Sequence, residues 1–137
     1  MTPLEVRLHV VRDLVRVALV NTGDATVVVA GRLAVGYEGG TDRELYAVLR
    51  DPVTGEAVGG PAQLYHRAPH PADDLRPLAP GQRAGTAFRL GDWYTHPAGA
   101  LEVSVVYDPT EVARRFPGVH RDRVVSDAVR VDLPGNP

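Results

Sequence analysis

The chain has 137 residues, with 44% hydrophobic and 23% charged, and a formal net charge of −2. This is the balance of an ordinary globular domain, long enough to bury one core without disulfides or a structural metal. Neither sign of charge dominates, which argues against nucleic acid or an anionic membrane surface as partner, and no cysteine is present, which excludes a disulfide framework, a thiolate metal site and a cysteine nucleophile. All fifteen basic residues are arginine, a bias that codon usage explains without invoking selection for bidentate contacts.

The N-terminal residues alternate. Leu4, Val6, Leu8 and Val10 are separated by Glu5, Arg7 and His9, the period of a strand with one face in a core and the other in water. Glu5 and Arg7 interrupt the apolar residues too early for a secretory leader. The chain as written reads as cytoplasmic, and a secreted chain whose leader had been removed would read the same. No apolar run approaches a membrane span. Val15, Val17 and Leu19 extend the alternation to a turn at Asn21–Asp24. Val27–Val29 opens a third strand, read through Leu33 and Val35 to Tyr37 with a bulge or bend at Gly31.

Glu44 to Arg50 reads as a strand, followed by a turn at Asp51–Gly55 and a return strand from Glu56. Residues 59–80 are rich in proline, and most of the stretch cannot be a central strand, although Gln63–His66 fits a short edge strand. A turn at Leu78–Gln82 leads into a strand face of Ala84, Thr86, Phe88 and Leu90. Leu101, Val103, Val105 and Tyr107 alternate with polar residues in another strand. Pro109–Glu111 starts one short helix carrying Val112, Ala113 and Phe116. Val125, Val129, Val131 and Leu133 define a last strand, before a frayed tail at 134–137. Residues 1–137 therefore form one all-β domain of seven or eight strands, with at most one short helix, in the 108–122 connection.

Leu78-Ala79-Pro80-Gly81-Gln82, then Phe88-Arg89-Leu90, Trp93-Tyr94, Pro97, Gly99 and the strand ending at Tyr107 resemble bacterial immunoglobulin-like antiparallel β-sandwich domains. The resemblance implies a tyrosine whose hydroxyl pins a chain corner while its ring sits in the core, and Tyr94 is the candidate. Val20–Asp24, Arg67-Ala68-Pro69, Asp73-Asp74-Leu75 and the proline-glycine turn also occur in an order similar to the sandwich domain preceding deuterolysin-type metallopeptidases, and to small bacterial proteinase-inhibitor sandwiches. The chain departs from the first pattern in having no His-Glu-x-x-His.

Candidate chemistry is sparse. His66, His70, Asp73 and Asp74 could supply nitrogen and oxygen ligands to a metal, but Pro69 and Pro71 stiffen the segment and no helix aligns the histidines; a polar surface loop is the preferred reading. Asp42, Asp51, Asp92 and Asp108 read as turn formers rather than calcium ligands. Ser104 and Ser126 lack any nucleophile elbow, and no glycine-rich phosphate loop is present. The partner-binding candidates are Tyr65, Arg67, Trp93, Arg114, Arg115 and Phe116, aromatic and arginine side chains on or near long loops. The expectation is a non-enzymatic module without a cofactor that binds another protein through the loops at 59–78 and 108–122 or through an edge strand. The alternatives are a proteinase inhibitor and a metal- or carbohydrate-binding module.

Overall fold

The fold is seen in a computed structural model that describes residues 2–63 and 66–135. Strands β1 (Leu4–Val11) and β2 (Leu14–Asn21) form a hairpin in unbroken register, from Leu4 opposite Asn21 to Val11 opposite Leu14. The two-residue link puts Arg12 at φ +55, left-handed backbone that an L-residue with a Cβ adopts at a cost of roughly 1–2 kcal/mol. No glycine or asparagine marks this turn. Strand β8 (Arg83–Arg89) pairs with the other edge of β2 and completes a three-stranded antiparallel sheet.

The second sheet is built on β10 (Gly99–Tyr107). One edge of β10 pairs with β5 (Leu45–Arg50), and β5 takes the short parallel strand β4 (Val35–Gly36). The other edge pairs in succession with β12 (Val129–Leu133) and β11 (Val124–Val125). Two small antiparallel pairs complete the β structure: β3 (Val27–Ala30) with β7 (Leu75–Leu78), and β6 (Gly60–Pro61) with β9 (Tyr94–Thr95). Gly59 enters β6 at φ +77, where a Cβ would collide with the Thr95 carbonyl.

The two main sheets face each other, with β1 packed against β10, β11 and β12. Alternation decides the core. Leu4, Val6, Val15, Val17, Leu19, Ala84 and Phe88 point inward from the first sheet, and Leu45, Leu49, Leu101, Val103, Val105 and Tyr107 from the second. Each such valine or leucine contributes roughly 1.5–3 kcal/mol by leaving water.

Buried polar groups fasten the layers together. Asn21 is wholly buried: its Nδ2 donates to the carbonyls of Ala25 and Leu78, and its Oδ1 accepts from the Gly23 N–H. Tyr94 donates its hydroxyl to the Gly36 carbonyl at 2.6 Å and accepts from the Ala47 N–H at 2.8 Å. Its ring is in the core, and the backbone it pins belongs to β4 and β5, far away in the chain. Tyr107 accepts from the Ala30 N–H and so joins β10 to β3.

Several sequence expectations need correction. The strands are more numerous and shorter than seven or eight, because two expected strands divide, into β3 with β4 and β11 with β12, and short pairings form at β6, β7 and β9, while the expected return at 56–58 makes only an isolated bridge. The segment expected to run from Val27 to Tyr37 breaks at Gly31–Ala34, where Leu33 takes φ +51, and its halves join different pairings. The limit of one short helix fails. Besides α2 (Thr110–Arg115), a single turn α1 (Leu90–Trp93) follows β8, fixed by fully buried Leu90 and by its N–H donating to the Asp13 carbonyl. Leu90 thus closes the strand rather than lying on its face. Val125 is half exposed and belongs to β11, separate from the β12 face. Gln63 and His66 are not in a strand, and the rest of that expected edge strand, like Asn136 and Pro137 of the expected tail, lies outside the described residues. No helix among the described residues is long and apolar enough to cross a membrane.

Candidate functional site

Glu44 immediately precedes β5, with only 1% of its surface in water. A carboxylate so placed needs a full set of partners. Arg32, on the break between β3 and β4, supplies two: its Nε donates to Oε1 at 2.9 Å and its Nη2 to Oε2 at 2.7 Å. The Ala34 N–H donates to Oε1 as well. The hydrogen bond to Glu44 outweighs desolvation and holds the Arg32 guanidinium above its already high range. The backbone of Glu44 joins the same node, because its carbonyl accepts from the Asp108 N–H.

The remaining donors of Arg32 reach into the proline-rich connection. Nη1 donates to the Ala68 carbonyl at 2.7 Å, and the Arg32 backbone N–H donates to His70 Nε2 at 3.3 Å. His70 is 2% exposed. With Nε2 accepting, the neutral ring carries its proton on Nδ1, which has no partner among the described residues. Arg115, at the end of α2, donates Nη1 to the His70 carbonyl at 2.9 Å. The two long connections that the sequence singled out therefore meet at His70, above the Arg32–Glu44 pair.

The other end of the proline-rich segment is fastened separately. The Arg67 N–H donates to Asp42 Oδ2, Gln63 Nε2 donates to the Asp92 carbonyl, and the Tyr37 hydroxyl lies 2.7 Å from the Gln63 carbonyl and 2.8 Å from that of Trp93. The Arg67 guanidinium sits over the Trp93 ring, 5.5 Å from its centroid, a cation–π contact. Arg115 covers Phe116 in the same way at 4.9 Å, and Arg114 pairs with Glu111.

The structure thus gathers Arg67 with Trp93, and Arg115 with Phe116, and ties the two groups through the segment from Arg67 to His70. Tyr65 lies outside the described residues. The candidate metal ligands do not converge. His66 is exposed, Asp73 and Asp74 are exposed on a 3-10 turn, and His70 is buried facing Arg32. No group of three or more histidine, aspartate or glutamate side chains among the described residues could hold a metal. Ser126 is spent on structure, its hydroxyl accepting from the Val105 N–H and donating to the Asp127 carbonyl.

A second polar cluster escaped the sequence reading. Arg43 is buried, donates Nε to the Tyr37 carbonyl, lies 3.4 Å from Asp108 Oδ2 and covers the Tyr46 ring at 4.8 Å. Arg123 donates to the Tyr46 hydroxyl. Burial raises the Asp108 carboxyl, but hydrogen bonds from Thr110 and the nearby Arg43 guanidinium more than offset it and leave the group below its ordinary value. These residues line an open cavity of about 520 Å³ with Glu38 and Thr41. The only sequence signal was Arg43-Glu44 at the head of an apolar strand, where charge is normally exposed.

No protein-family model matches the chain, and no curated protein matches it.

Proposed function

We propose that the chain is an immunoglobulin-like β-sandwich that works by binding another protein, without catalysis or a cofactor, through the surface formed by residues 66–71 and α2. The observation that carries this reading is the Arg115–His70 hydrogen bond. It turns two long connections into one surface resting on a buried ion pair. A surface ordered before the partner arrives avoids much of the ordering cost of association, and loops on a rigid scaffold are where recognition residues concentrate. Arg67 with Trp93, and Arg115 with Phe116, supply the arginine and aromatic anchors that dominate interface energies.

The test is affinity capture from the source organism with the native chain and with an Arg67→Ala/Phe116→Ala variant, followed by direct titration of the purified pair. A partner whose affinity falls roughly tenfold or more with the variant supports the reading, since anchors of this kind contribute about 2 kcal/mol or more each. A partner that binds both proteins equally overturns this surface. A peptidase as the captured partner, with its cleavage activity blocked, moves the reading to an inhibitor.

A further inference from the structure

β1 is the outermost strand of its sheet, and the register shows which of its backbone groups are unused. The Asn21 N–H donates to the Gln82 carbonyl, and the Leu90 N–H donates to the Asp13 carbonyl. Odd-numbered residues of β2 therefore direct their backbone groups toward β8. Backbone direction alternates along an antiparallel strand, so the even-numbered residues of β2 bond β1, opposite its odd-numbered residues. Val6, Leu8 and Val10 are left directing N–H and C=O groups to the outer edge, where no described residue meets them. β1 is eight residues long, without proline or a bulge inside it, so neither a short length nor a missing backbone donor blocks pairing at this edge.

The core also opens along this strand. Leu4 and Val6 are buried, but Leu8 and Val10, on the same inner face, are only half covered. Val131 on β12, against which β1 packs, is likewise half covered. An apolar seam therefore runs beside the free edge. The outer face is basic. Arg7 and His9 of β1, Arg16 of β2 and Arg83 of β8 surround a depression of about 260 Å³ that includes Ala18. Glu5 pairs with Arg7, whereas Arg16 and Arg83 have no ion pair among the described residues.

We propose that the β1 edge docks an extended segment of a partner protein in which apolar and acidic residues alternate. Strand addition satisfies the backbone groups of Val6, Leu8 and Val10. The period of two then places one set of side chains on the seam at Leu8, Val10 and Val131, and the other beside Arg7 and His9, with the Arg16 charge one strand further in. Charge complementarity selects acidic residues for the outer set. The inference shares with the functional reading only the premise that the chain binds proteins, and it concerns a different surface.

The probe is a fluorescent peptide of alternating glutamate and valine, about as long as β1, read by anisotropy at low and high salt. The native protein is expected to bind it with an affinity that weakens as salt rises, and to bind the lysine–valine counterpart at least roughly tenfold less tightly. Methylating alternate peptide nitrogens along the edge that faces β1 is expected to cost roughly tenfold or more, because those N–H donors are lost. The Arg7→Gln/Arg16→Gln variant, checked for an unchanged melting temperature, is expected to lose roughly tenfold as well. Arg115→Ala is expected to bind like the native protein, which separates this surface from the loop surface. No binding by the native protein, equal binding of the lysine peptide, or equal binding of the N-methylated peptide would overturn the proposal.

Discussion

Arg32 grips both carboxylate oxygens of Glu44, at 2.9 and 2.7 Å, beneath the point where the two long connections meet. The Arg32 side chain is 17% exposed and that of Glu44 1%, so the pair stands near the limit where desolvation and attraction cancel. Breaking it is a different matter. Glu44→Gln leaves a guanidinium partly buried without its counter-charge and is expected to cost about 3 kcal/mol in urea unfolding. The Arg32→Met/Glu44→Leu double variant should lose less than Glu44→Gln alone, because no unpaired charge remains. If the double variant is the less stable of the two, the pair contributes net attraction and this account of it fails.

Asn21 makes a second, uncharged test. Its side chain serves three backbone groups, the Ala25 and Leu78 carbonyls and the Gly23 N–H, while its own N–H and C=O bond Gln82 and Gly81. It fastens the end of β2 to the turn that enters β8. Asn21→Ala strands the buried Leu78 carbonyl and takes a partner from the less buried Ala25 carbonyl and Gly23 N–H, and a loss of about 1–3 kcal/mol is expected. Asn21→Ser, which retains one short acceptor, should recover part of it. A loss under about 0.5 kcal/mol, the scale of a neutral surface change, would mean that water replaces the amide.

Asn21 also shows what sequence can and cannot carry. Its position before Thr22-Gly23-Asp24 marked a turn correctly, since local turn chemistry is written in adjacent residues. Its long-range bond to Leu78 was not legible, because nothing in a short window states which distant carbonyl lacks a donor. The same division runs through the chain. The alternation of β1, β2 and β10 was plain, and so was α2, with its proline start. The Arg12–Asp13 turn was invisible because the residue in left-handed backbone is an arginine. Candidates such as Arg67, Trp93, Arg115 and Phe116 were singled out by residue type alone. The Arg32–Glu44 pair beneath them was missed, because burial of charge runs against the pattern from which burial is read.

Alkaline pH tests Tyr107. The chain has no lysine, so tyrosines are the only side chains with ordinary values between roughly pH 9 and 12. Burial, reinforced by the nearby Glu44 and Asp108 carboxylates, pushes the Tyr107 hydroxyl well above its usual value. The group is raised in the folded state, so its stabilising contribution is complete below the unfolded value of about 10 and is lost as pH rises toward the folded one. Stability measured by urea unfolding should fall from about pH 10 upward. Tyr107→Phe should be less stable at neutral pH, because the Ala30 N–H loses its acceptor, yet should show a shallower alkaline decline. Parallel declines in the two proteins would place the alkaline sensitivity elsewhere.

The Arg115–His70 bond predicts a local effect rather than a global one. Arg115→Ala removes the tie between α2 and the proline-rich connection but leaves Arg32 holding Ala68 and His70. Stability of the whole fold should change by less than about 1 kcal/mol, since α2 and both sheets keep their packing. The connection itself should open more often. With no lysine in the chain, trypsin reports only on arginines, and the bond after Arg67 lies within the tied segment. Under native conditions, losing about 1 kcal/mol of local protection raises cleavage there roughly fivefold, because the open fraction governs the rate when reclosing is fast. Cleavage after Arg67 that rises no faster than cleavage elsewhere would show that Arg32 alone orders the segment, and would remove the Arg115 tie as what joins the two connections into one surface.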